Sequence, residues 1–169
     1  MNIKLAKMIL FLTFDKELNR TILNKLLFFS DVAYYLLNGD TISKEPYIKQ
    51  PYGPVPQTIE QLRNYLIAEN FLQEKIYSTK MVYEYGYSAN KSVNKEKLSN
   101  SFNTNELECL KNVLENLSYK TASYLSNKSH DFEPWKSAEY WGDSLDFEKT
   151  KEDGLLKEWL KTNNLLENI

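Results

Sequence analysis

The sequence has one cysteine, one histidine, five well-separated glycines and a net charge of only −2. The single thiol, Cys109, excludes an internal disulfide framework and suits a reducing, cytoplasmic setting. With Cys109 and His130 as the only soft ligands, a structural zinc site is all but excluded. The glycines, Gly39, Gly53, Gly86, Gly142 and Gly154, lie too far apart to cradle a phosphate. The longest apolar run, Met8 to Leu12, reaches Phe14 only across Thr13 and is far too short to span a bilayer. Asp15, Lys16 and Glu17 follow it rather than a small-residue cleavage site, so it is read as a core-facing helix. The near-neutral charge supplies no global attraction to nucleic acid or membrane. These absences describe a cytoplasmic protein without cofactor or metal and without a membrane partner.

What is present suits one domain of 169 residues. Apolar residues at 42% and charged residues at 26% are globular values. Aromatics reach 14%, with 12 tyrosines, which favours a core with wet edges or a surface made for a protein partner.

The N-terminal half is strongly patterned. Residues 2–16 predict an amphipathic helix, with Ile3, Leu5, Met8, Ile9 and Leu12 at spacings of three and four. A second helix is predicted from Thr21, as N-cap, to Asn38, with Gly39 as its stop. Apolar residues occupy most of its circumference, so it should be central, and Asp31 among them requires a partner. Four of the five prolines, Pro46, Pro51, Pro54 and Pro56, then fall within eleven residues and exclude a helix. Tyr47-Ile48-Lys49 reads as a short edge strand, and Pro51-Tyr52-Gly53-Pro54 as a rigid turn. Pro56 is expected at the first position of a third helix over residues 57–69, closed by Asn70. Strands are predicted over residues 71–77 and 81–87, around Ser78-Thr79-Lys80.

That order predicts a mainly helical α+β fold with a small antiparallel β-hairpin: a winged-helix-like N-terminal half followed by C-terminal helices. Residues 88–103 read as a surface connection. Helices follow at 104–117, with Thr104 as cap, at 120–128, and at 153–166.

Catalytic chemistry is thinly represented. His130 is the only histidine, and its adjacency to Asp131 says nothing about triad geometry. Cys109 sits beside Glu108, which raises a thiol pKa rather than lowering it. No catalytic residue is assigned, and the chain is read as a non-enzyme.

Two binding readings remain. For DNA, the third helix would present Gln57, Gln61, Arg63 and Asn64 to base edges, with Lys75 and Lys80 on a basic wing. Glu60 and Glu69 on the same helix oppose phosphates. For a protein partner, Tyr83, Tyr85 and Tyr87 alternate along one strand and share a face, as rings do in a hot spot or in a core.

Three segments together resemble the Panacea domain, the SocA-like antitoxin family first described as a phage-associated domain. Lys25-Leu26-Leu27-Phe28-Phe29-Ser30-Asp31 is similar to the family's Lys-Leu-Leu-Tyr-hydrophobic-Ala-Asp helix. Tyr47-Ile48-Lys49-Gln50-Pro51-Tyr52-Gly53-Pro54-Val55-Pro56 is similar to its proline turn. Thr121 through Ser129-His130, with Pro134-Trp135, is similar to its Ser-His-x-x-x-x-Trp segment. The resemblance spans about residues 20–142. It implies a bacterial or prophage antitoxin that neutralises a cognate toxin encoded nearby by direct binding. A protease is a further partner where a family branch acts as an adaptor, and operator DNA where an antitoxin represses its own operon. The partner-binding residues expected on this reading are Tyr52, Gly53, Pro54, Tyr83, Tyr85 and Trp135. The Pro51–Pro54 turn either presents Tyr52 or fixes the start of the third helix, and Trp135 either packs or binds.

Overall fold

Capping determines where the helices begin. In a computed structural model, which describes residues 1–166, α1 (Ile3–Leu12) opens with the Asn2 side chain accepting the Leu5 N–H at 2.9 Å. It stops four residues short of the expected end, at Thr13, and the chain then turns into β1 (Leu18–Asn19), a two-residue strand that its brevity hid from the sequence. Asn19, rather than Thr21, caps α2 (Arg20–Asn38) by accepting the Ile22 N–H. Gly39 ends α2 in the left-handed region, as its sequence position predicts.

Every position of α2 from Leu23 to Ala33 is buried, because α1, α5 (Thr104–Leu117) and α6 (Ala122–His130) pack around it. A helix apolar on most sides can be satisfied only at the centre. Asp31 is enclosed with the rest. It accepts the Ser43 N–H at 2.9 Å, the Ser43 hydroxyl, and the Tyr47 hydroxyl at 2.8 Å. These bonds tie the segment after α2 back onto the helix.

The proline-rich segment forms a minimal hairpin of β2 (Tyr47–Ile48) and β3 (Val55–Pro56), with Tyr47 opposite Pro56. Pro56 therefore belongs to a strand and not to the first turn of a helix. The Gln57 N–H is drawn to the Pro46 carbonyl, and α3 (Ile59–Ala68) starts only beyond it. Its open end is met from a distance, since the Glu45 carboxylate accepts from the Thr58 N–H and hydroxyl.

β4 (Leu72–Ser78) and β5 (Tyr83–Ala89) pair from Leu72↔Ala89 to Ser78↔Tyr83, so the turn occupies residues 79–82 rather than 78–80. β1 pairs with the other side of β5, giving the order β1-β5-β4. Helix, strand, two helices and a hairpin with this strand order is the winged-helix arrangement. Gly86 sits where β5 crosses Glu17, and a Cβ there would lie 2.4 Å from the Glu17 carboxylate oxygen.

The remaining elements pack on α2 or close the ends. α4 (Lys95–Ser99) lies within the expected surface connection and buries Leu98; beyond it Phe102 meets Phe11 edge-on at 5.8 Å. Asn103, not Thr104, caps α5, in a capping box with Glu106. After α6 come α7 (Glu133–Lys136), a 3-10 turn (Phe147–Thr150) and α8 (Gly154–Thr162), with Asp153 accepting from the N–H groups of Leu156 and Glu133. No helix among the described residues is long and apolar enough to cross a membrane.

Burial pushes the Asp31 carboxyl from 3.8 up to about 6, against the pull of its hydrogen bonds to Ser43 and Tyr47. A folded-state value above the unfolded one means that the folded form holds the proton more tightly. The stability involved is complete below the unfolded value and is lost as pH rises through the folded one. Unfolding free energy should therefore fall by about 2–3 kcal/mol between pH ~4 and ~6 from this residue alone. Denaturant titrations of Asp31→Asn, which keeps an acceptor for Ser43, should show that slope removed.

Candidate partner-binding site

The turn Pro51–Pro54 has two prolines without N–H groups, and its carbonyls need donors from elsewhere. Those of Tyr52 and Pro54, and that of Gln50 just before the turn, are met by three different side chains. Lys25, 1% exposed in the middle of α2, donates from Nζ to the Pro54 carbonyl at 2.9 Å. Ser126 of α6 donates to the Tyr52 carbonyl at 2.9 Å, and Trp135 Nε1 of α7 donates to the Gln50 carbonyl at 3.2 Å. The three segments that stand out in the sequence thus meet at one place, with the turn gripped between α2, α6 and α7.

Packing there is tight. Gly53 has φ +99°, and a Cβ would lie 2.2 Å from Ser129 Oγ and 2.6 Å from Lys25 Cε. The His130 ring stacks on Trp135 at a centroid distance of 4.0 Å, and Lys49 Nζ lies 4.2 Å from the Trp135 ring centre while donating to the Ala138 carbonyl. Burial lowers the Lys25 ammonium to about 7. Burial also lowers His130, with the charges of Lys25 and Lys49 acting in the same direction.

Gly53 and Pro54 are buried within the turn. Trp135 is half-buried, with its N–H committed to the turn. Tyr52 is the residue left outside, 75% exposed on a backbone fixed from three directions.

The expected row of hairpin rings divides along its length. Tyr87 is buried, Tyr85 is half-buried under the Arg20 guanidinium at 4.0 Å, and Tyr83 is 71% exposed. Ile76 lies opposite Tyr85 across the strands. With Met81 (92% exposed) and Val82 it gives the hairpin an apolar tip that sequence reasoning missed. Met81-Val82 looked like the start of a strand; only the register shows them to be turn residues.

The third-helix surface departs from the DNA-reading expectation. Gln57, Gln61 and Asn64 are exposed, but Arg63 is 3% exposed, with its guanidinium 5.1 Å from the Tyr87 ring centre. Ile59, Leu62, Arg63 and Leu66 are the inward positions of α3, and that spacing was readable in the sequence. Without Arg63 the outward face of α3 carries no cation. On the wing, Lys75 is engaged by Glu17 at 3.4 Å, and Lys80 is exposed.

Cys109 lies buried with its thiol pushed up to about 12 by burial and contacts the Ser30 carbonyl, which is packing geometry. Among the described residues no three His, Cys, Asp or Glu side chains gather as a metal site.

Two measurements check the grip on the turn. Gly53→Ala should destabilise by about 2–4 kcal/mol in urea titrations, from the positive φ and the collision with Ser129 and Lys25. Lys25 titrates lower in the folded protein than in the unfolded chain, at 10.5, so its stabilising share is present above the unfolded value and is lost as pH falls through about 7. Stability should therefore rise between pH 7 and 10 in the parent protein, and Lys25→Met should abolish that rise.

The chain matches the family described as "Antitoxin SocA-like, Panacea domain" over residues 23–136, more than half of its length. No curated protein and no solved structure matches it. The matched span begins two residues before Lys25, ends one after Trp135, and contains every contact that holds the proline turn. The chain belongs to the SocA-like Panacea antitoxin family.

Proposed function

We propose that this chain neutralises a toxin encoded beside it by direct contact, through a surface made of Tyr52, Tyr83, Tyr85 and the apolar hairpin tip. The observation that carries this reading is Tyr52, a large ring left in water on a backbone held by Lys25, Ser126 and Trp135. A ring presented this way loses little conformational entropy when it is covered. Gly53, Pro54 and Trp135 act as its support.

The hairpin supplies the second part of the surface. Tyr83, Ile76, Met81 and Val82 are exposed together at the end of a ribbon whose outer strand, β4, pairs on one side only among the described residues. Apolar side chains beside a free strand edge suit a protein partner better than a nucleic acid. Membership of an antitoxin family supports a role of this kind, and the turned-in Arg63 speaks against α3 as a reader of bases.

The test is co-expression with the neighbouring open reading frame, followed by copurification and affinity measurement. The parent protein should relieve growth arrest and elute with the toxin. Tyr52→Ala and Tyr83→Ala remove exposed rings and should leave folding stability within about 0.5 kcal/mol. Each should weaken toxin binding about tenfold or more. Full affinity in both folded variants would remove this surface from consideration.

A further inference from the structure

A cleft of about 490 Å³ opens between the start of α2, the proline turn and α3. Its wall includes Arg20, Asn24 and Arg63, and Tyr52 stands at the same cleft. Three buried polar atoms there have no hydrogen-bond partner among the described residues: Arg20 Nε, Arg63 Nη1 and Asn24 Oδ1. Neither arginine is ion-paired with a carboxylate among the described residues. Buried donors and acceptors left unmade are costly, and native proteins rarely keep several together without a use.

The two guanidiniums are held in place from behind. Arg20 lies over the Tyr85 ring and donates to the Tyr87 hydroxyl at 3.3 Å, and Arg63 faces the Tyr87 ring. The tyrosine strand therefore fixes two like charges side by side at one wall of the cleft. Glu60 is the acidic member of the same lining; it is exposed and makes no ion pair with either arginine. Two unpartnered N–H donors beside one unpartnered carbonyl oxygen form a mixed set. Guanidinium forks match a planar carboxylate, and the Asn24 oxygen accepts an N–H, a donor that a peptide segment carries beside its acidic side chain and a fully ionised phosphate lacks.

We infer that this cleft is the receptor for an acidic side chain of the partner protein, with Arg20 and Arg63 taking the carboxylate and Asn24 Oδ1 accepting a backbone N–H of the same segment. This deepens the antitoxin reading and rests on it for the partner's identity. Tyr52 stands at one side of the cleft and Tyr85 stacks beneath Arg20, so the acidic residue enters beside an exposed ring.

The first test needs no toxin. The probes are a capped Gly-Glu-Gly peptide, the matching Gly-Gln-Gly peptide and inorganic phosphate, titrated into 15N-labelled full chain while the arginine Nε–Hε signals are followed. The glutamate peptide should move the Arg20 and Arg63 signals saturably and bind at least about tenfold more tightly than the other two probes. Arg20→Gln should remove that response, and Glu60→Gln should strengthen it severalfold by removing the competing carboxylate. Equal binding of the glutamine peptide, or tighter binding of phosphate, would overturn the assignment. Arg20 is only half-buried, so Arg20→Gln keeps the test decisive even where a change at Arg63 prevents folding. In the toxin complex, Arg20→Gln should weaken affinity about tenfold; an unchanged affinity there would overturn the partner assignment. A silent cleft beside toxin binding that depends on Tyr52 would refute this inference alone and leave the antitoxin reading standing.

Discussion

Lys25 leaves the middle of an enclosed helix and ends on a proline carbonyl, with no carboxylate beside it to offset its charge. Burying an ammonium in that setting is unfavourable, and the group responds by titrating near neutrality. The bond to Pro54 is what makes the position tolerable. It also fixes the proline turn against α2, and the other contacts on that turn depend on where it sits. Ser126 and Trp135 hold neighbouring carbonyls of the segment that Lys25 anchors, and Gly53 must be glycine because Ser129 and the lysine stem fill the space beside it.

The same helix bears a second buried charge site six residues further on. Asp31 holds the segment from Ser43 to Tyr47 as Lys25 holds that from Gln50 to Pro54, so one helix anchors both ends of a loop otherwise poor in secondary structure. Prolines leave such a loop few backbone bonds of its own. Its order comes from polar side chains of α2, α6 and α7, satisfied in a dry interior where an unmade bond is costly. Tyr52 is held outward as the consequence, and the winged hairpin carries a second exposed aromatic group with an apolar tip.

Much of the frame was legible from local pattern. The central character of α2 followed from its apolar circumference, its end from Gly39, the two hairpin strands from β-rich runs, and the need of Asp31 for partners from its neighbours. The three family segments were visible as well. Errors clustered where a distant group decided a boundary. Pro56 joined a strand because Tyr47 lay opposite it; α3 began late because Glu45 capped it; and β1 existed only because β5 was there to pair with it. Arg63 was offered to DNA as a polar residue, although its spacing from Ile59 and Leu66 already placed it on the inward stripe.

The sequence by itself determined the longer helices, the two hairpin strands, their order and the three segments that meet at the proline turn, since periodicity, caps and proline content act over a few residues. Tertiary structure decided which of those residues are surface and which are support. Tyr52, Gly53 and Pro54 are neighbours in the chain, yet one is exposed and two are enclosed, according to what α2 and α6 bring against them. Tyr83, Tyr85 and Tyr87 share one face of one strand, yet differ from open to buried because Arg20 and Arg63 cover only one end. Such outcomes depend on contacts between residues some 74 positions apart, as from Ser126 to Tyr52, and exist only after the chain has packed.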